Sequence, residues 1–151
     1  MSLDKSLHLN YCKESSRLVD WYCQKKKDLD YPIYSSYDIR DSGFKISNVD
    51  GNIYPAGFNN ICHNDRDSSV EIMKTFIDSH YEPRLKKIVL LTEEHTNNPY
   101  YWDNVLAIQH LLEAGGRSVL IAIPQKLEKP LTLQNSTGKQ VIVHSAYLNS
   151  K

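Results

Sequence analysis

Cysteine is scarce: the chain has only Cys12, Cys23 and Cys62, an odd number with no C-x-x-C pair. That excludes a disulfide framework and a cysteine-built zinc site, and it fits a reducing cytoplasm. An excess of one charge is also lacking, since 18 basic side chains balance 18 acidic ones and the one basic run is Lys25-Lys26-Lys27. A general electrostatic hold on nucleic acid is therefore not expected. No apolar run reaches the roughly 18 residues of a membrane span, and Asp4 and Lys5 stand where a signal peptide would place its apolar stretch. The expectation is a soluble, cytoplasmic protein without nucleic-acid or membrane partners. Met1-Ser2-Leu3 reads equally as native sequence or as an expression remnant.

Several chemical motifs are missing as well. There is no G-x-G-x-x-G and no G-x-x-x-x-G-K-[ST], so neither a dinucleotide fingerprint nor a phosphate loop is present. His63, His80, His95 and His110 form no H-x-x-x-H or H-E-x-x-H pattern, and no metal-ligand set is expected. Cys62 and His63 are adjacent, which on an extended chain points them to opposite faces and argues against a nucleophile-base pair. No internal repeat is visible.

What is present has the length of one domain, 151 residues, and the expectation is a single core over 1–151. From about Asp4 to Lys27 the pattern predicts a helix with Leu7, Tyr11, Leu18 and Tyr22 on one stripe, ending in lysines that suit a helix C-terminus. After "NDRDSS", with Asp65 or Asp67 as cap, Val70, Met73, Phe76 and Ile77 predict a second helix to about His80, closed by Pro83. "KKIVLLT" and "RSVLIAI" read as buried strands, and between them "NNPYYWDNVLAIQHLLEAGG" reads as a helix with Asn98 as N-cap, Pro99 at its first position and Gly115 past its end. A strand-helix-strand unit of this kind makes a parallel sheet, hence an α/β fold. "TLQNSTGKQVIV" predicts a C-terminal hairpin turning at Ser136-Thr137-Gly138.

Two stretches hold polar groups suited to a ligand. "YSSYDIRDSGFKISNVDGNIYPAGFNN", Tyr34 to Asn60, is dense in Asp, Asn, Arg and Lys beyond what strand alternation requires. Arg40 there can grip a carboxylate through two parallel hydrogen bonds while Asp38 or Asp50 receives an ammonium group, or it can pair internally with Asp38 or Asp41. "TEEHTNN" follows a strand and precedes a helix N-terminus, where open α/β sheets bind ligands, though an ordinary capped loop would look the same.

The order of these strings carries a resemblance. "S-x-D-x-R-x-x-G-F-K" at Ser36 to Lys45 and "V-D-x-N-x-x-P-x-G-F-N-N" at Val49 to Asn60 are followed by "E-x-H-T-x-N" at Glu93 to Asn98. Co-linear over about Tyr31 to Ile123, they resemble the N-terminal region of proteobacterial glutamate-cysteine ligases. One position departs from the family string, which favours threonine where this chain has Gly51. The resemblance implies a three-layer, Rossmann-like (pre-ATP-grasp-like) domain with a mostly parallel sheet, and an activity that joins glutamate and cysteine at the expense of ATP with Mg2+, the first step of glutathione synthesis. It implies substrate contacts at Ser36, Asp38, Arg40, Lys45, Asp50, Asn52, Asn59, Asn60, Glu94, His95 and Thr96, without assigning a catalytic role to any of them. An ATP-grasp-like nucleotide clamp has no counterpart in the sequence, so the chain is expected to be an N-terminal substrate domain, inactive alone and completed by an ATP-binding domain. Two other readings stand beside it: a free-standing, non-catalytic amino-acid-binding module, and an interaction domain.

Overall fold

The computed structural model describes residues 3–82, 84–93 and 97–147. The chain forms two compact units, Met1–Pro55 and Ala56–Lys151.

The first unit holds helix α1 (Leu3–Lys26) and strands β1 (Ser36–Asp41) and β2 (Ile46–Asn52), which pair antiparallel. The helix starts and ends close to where the sequence places it, with Lys25 and Lys26 in its last turn. Its expected stripe is not buried: Leu7, Tyr11, Leu18 and Tyr22 all remain exposed. Among the described residues of this unit none is buried. A lone helix and a two-stranded ribbon offer no second layer for an apolar face, which is the physical reason.

The second unit is built on a four-stranded sheet, order β3-β4-β6-β5, from β3 (Lys87–Leu91), β4 (Ser118–Ile123), β5 (Leu131–Gln134) and β6 (Gln140–Ser145). β3, β4 and β6 run parallel, with Ile88 opposite Val119 and Leu90 opposite Ile121, and β5 closes the edge as an antiparallel hairpin on β6. The strand-helix-strand unit and the C-terminal hairpin are thus found as expected, but the expected burial of both strands is not: β4 is buried only over residues 121–123, and β3 has no buried residue because one of its faces is left uncovered. Helix α3 (Pro99–Ala114) supplies the crossover. Asn98 caps it by accepting a hydrogen bond from the Tyr100 amide at 3.1 Å, and Pro99 occupies its first turn. At the other end the Gly115 amide bonds back to the Leu111 carbonyl at 3.0 Å, and Gly116, at φ +85°, takes the left-handed turn that releases the chain into β4.

Helix α2 (Arg66–His80) and α3 pack on the same face of the sheet. Trp102, Val105 and Leu106 meet Ile121, Ile123, Val141 and Val143, while Met73 and Ile77 join Ile108, Leu111 and Leu112 above Ile88 and Val119. Each fully buried large apolar side chain here contributes about 1.5–3 kcal/mol. Where three layers are expected, the described elements of this unit therefore form two. On the opposite face Val89, Leu91, Leu120 and Ile142 are between 41% and 57% exposed. Strands apolar on both sides belong to sheets covered on both sides. No helix is long and apolar enough to cross a membrane among the described residues.

Candidate functional site

The hairpin of the first unit carries six of the expected substrate residues. Ser36 faces Asn52, Asp38 faces Val49 and Arg40 faces Ser47 across the ladder, so alternation along β1 places Ser36, Asp38 and Arg40 on one side together with Asn52. Tyr37, Ile39 and Asp41 take the other side. The register shifts at Tyr37/Asp38 because β2 has an extra residue, Asp50, whose φ of +50° marks the bulge. Asp50 is thereby removed from regular alternation. Lys45 lies in the connecting turn, where its carbonyl accepts hydrogen bonds from the Ser42 amide and hydroxyl, both at 3.1 Å. Asp41 is occupied in the same turn, accepting from the Gly43 amide at 2.7 Å.

Arg40 forms no ion pair with Asp38 or Asp41 among the described residues, and both it and Asp38 are exposed. The arrangement leaves a guanidinium and a carboxylate two residues apart on one exposed face of the ribbon, groups of the kinds that bind a carboxylate and an ammonium. Opposite Tyr37, the departure at Gly51 has a steric correlate: a Cβ at 51 would sit 2.7 Å from Tyr37 Cε1, so the ring occupies the space a side chain would fill.

Asn59 and Asn60 belong to the second unit, in a 3-10 turn (Phe58–Asn60) held against α3 by a hydrogen bond from the Phe58 amide to the buried Asn104 side chain, 2.9 Å. Glu94, His95 and Thr96 lie outside the described residues. Thr92 before them is buried, its amide and hydroxyl both donating to the Ala122 carbonyl at 2.8 and 3.2 Å, and the Glu93 amide donates to Tyr101 Oη at 3.0 Å. Both residues anchor the start of this loop to the sheet edge and to α3.

One feature of the second unit was not visible in the sequence. A cleft of about 430 Å³ opens between the segment leading into α2, the middle of α3 and the β5–β6 turn. Asn59 lines it, with Arg66 and His63 from one wall, His110 and Asp103 from α3, and Lys139 from the turn. Lys139 Nζ lies 3.0 Å from His110 Nε2. Burial first, and then the positive charges of Lys139 and Arg66, push the His110 imidazole below its ordinary pKa of 6.5, against a weaker upward pull from Glu113. In the sequence His110 belongs to no histidine motif; it is half-buried, and no local pattern announces that residues 66, 110 and 139 converge. Among the described residues no group of three His, Cys, Asp or Glu side chains is placed to hold a metal ion.

Comparison with known proteins bears on these features. The chain is similar to a crystallised protein of Methylobacillus flagellatus KT, provisionally named a gamma-glutamylcysteine synthetase, with 26% identity and a TM-score of 0.80. The match covers 93% of this chain and 33% of that one, so the chain spans about a third of the length of that relative. No curated protein matches it. The family profile described as glutamate-cysteine ligase (GshA) matches residues 10–151, nearly the whole sequence, and the chain belongs to the glutamate-cysteine ligase family.

Proposed function

We propose that this chain is the N-terminal, amino-acid-binding part of a glutamate-cysteine ligase that makes γ-glutamylcysteine from glutamate, cysteine and ATP. The observation that carries the reading is the family match over residues 10–151. The face bearing Ser36, Asp38, Arg40 and Asn52 supports it, since it presents opposite charges side by side on one strand.

In this reaction the γ-carboxylate of glutamate attacks the terminal phosphorus of ATP and ADP departs; the amine of cysteine then attacks the acyl carbon and expels phosphate. Magnesium, when bound, neutralises charge on the transferring phosphoryl group. The described residues provide no ligand set for that ion, so no step through it is assigned to this chain. The role assigned here is to hold an amino acid. Arg40 takes the α-carboxylate in a two-pronged grip, Asp38 takes the ammonium group, and Asn52 and Ser36 supply neutral hydrogen bonds beside them. Lys45, Asp50, Asn59, Asn60, Glu94, His95 and Thr96 are the further contacts this reading assigns.

The ATP-binding part is assigned to the rest of a family-length polypeptide, and the chain alone is inactive. Two surfaces suit such a neighbour: the first unit, which buries none of its described residues, and the open sheet face of Val89, Leu91, Leu120 and Ile142. The test is Arg40→Lys in a family-length polypeptide carrying these residues. Lysine keeps the charge and loses the bidentate grip, so kcat/KM falls by about 2 kcal/mol or more, roughly thirtyfold, while the unfolding midpoint stays put. Unchanged kinetics with a lowered midpoint would return Arg40 to a structural ion pair.

A further inference from the structure

We propose that the cleft between the α2 entry, α3 and the β5–β6 turn is a binding site for a small anionic molecule, one that presents a phosphate or carboxylate group to Arg66 and Lys139. The cleft shares Asn59 with the contacts assigned above and otherwise rests on Arg66, Lys139 and His110, which the ligase reading does not use.

The cleft's volume, about 430 Å³, lies within the range of small-molecule sites, roughly 300–1,000 Å³. Its charged rim comes from three separate elements, and all of it lies within the second unit. Among the described residues neither Arg66 nor Lys139 has a carboxylate partner; the ion pairs of this unit, Lys74 with Glu71 and Arg117 with Asp78, lie elsewhere. Asp103 contributes the one carboxylate in the lining, which Arg66 and Lys139 outweigh. Two cations set against one carboxylate in a shared concave space leave a net positive field that attracts an anion, and the low-dielectric wall of Leu106 and Leu111 strengthens that attraction.

The turn that delivers Lys139 is pre-organised. Asn135 Oδ1 accepts from the amides of Thr137 and Lys139, at 3.2 and 2.7 Å, and from the Thr137 hydroxyl at 3.0 Å. Lys139 is thus presented from a fixed backbone, and ordering the turn costs the ligand little. The environment of His110 fits the same field: burial first, then the charges of Lys139, whose Nζ lies 3.0 Å from Nε2, and Arg66 lower its pKa, and an anion beside the two cations would oppose their part of that shift. The groups bearing on His110 are Lys139, Arg66 and Glu113, and the anion's effect is therefore a rise in the His110 pKa.

The test is an NMR titration of the whole chain at constant ionic strength, following the His110 ring signals as inorganic phosphate, pyrophosphate or L-glutamate is added. The expected result is a saturable shift of His110 with an upward move of its pKa. Tighter binding of pyrophosphate identifies a phosphorylated ligand, and tighter binding of glutamate a carboxylate. Arg66→Gln and Lys139→Gln, both at exposed positions, should each weaken binding about tenfold, as loss of a charge-assisted hydrogen bond does. Lys129→Gln, an exposed lysine that does not line the cleft, should leave binding unchanged. Shifts that never saturate with any of the three anions, or equal weakening by Lys129→Gln, would overturn the proposal. No ATP or turnover enters the assay, so its failure would leave the ligase reading standing.

Discussion

Removing the carboxylate of Asp78 should destabilise the second unit by about 2–3 kcal/mol. The Arg117 side chain is only 4% exposed, and its Nη2 donates to Asp78 Oδ1 on α2 while its buried Nε has no partner among the described residues. Breaking a buried pair from one side usually costs about 3–5 kcal/mol, because the remaining charge stays desolvated. Asp78, however, is 42% exposed on its side chain, so water can enter the vacated position and recover part of the loss. The lower figure follows. Urea unfolding of Asp78→Ala in a Trp21→Phe background, read through the fluorescence of Trp102, reports this unit, since Trp102 is buried in its core. With a slope of about 1–3 kcal/mol per M, the midpoint should fall by about 0.7–3 M. Replacing both partners, as Asp78→Ala with Arg117→Met, should recover much of the loss because no charge is then buried alone. An Asp78→Ala midpoint within error of the parent would refute the reasoning and show that the Arg117 guanidinium already reaches water.

Two other expectations follow from local geometry. Because the folded chain holds His110 below 6.5 and the unfolded chain does not, the unfolded state binds the proton first; stability should therefore fall as pH drops through that value, and His110→Gln should flatten this part of the profile. A Gly51→Thr chain should displace the exposed Tyr37 ring, visible as a loss of ring-current shielding at residue 51, at a stability cost of under about 1 kcal/mol, the scale of a rotamer change; unmoved ring signals would contradict the contact.

Much of the second unit was legible because its signals are local. Asn98, Pro99 and the glycines after α3 punctuate the helix through backbone geometry that depends on a few neighbours, and the Asn135 to Lys139 turn is closed by its own side chain. The apolar run before Thr92 was legible as a strand, but not which of its faces is covered, since Ile88 and Val89 look alike in sequence and only α2 and α3 distinguish them. The stripe on α1 misleads for a related reason: periodicity announces a face that needs a partner, not that the partner is present. In the hairpin, alternation placed Asp38 and Arg40 together, while the bulge that sets Asp50 aside depends on a left-handed backbone that aspartate tolerates and no short motif announces. The cleft was beyond reach altogether, as Arg66, His110 and Lys139 are joined only by the fold.

The central claim is that this chain supplies an amino-acid-binding face to a glutamate-cysteine ligase and lacks the means to use ATP by itself. ADP release in the presence of glutamate, cysteine, ATP and magnesium tests it directly, measured on this chain and on a family-length polypeptide that contains it. The account predicts turnover that requires both amino acids in the longer polypeptide and none in the chain alone. Cysteine-dependent ADP release by the chain alone, persisting through repurification, would contradict it.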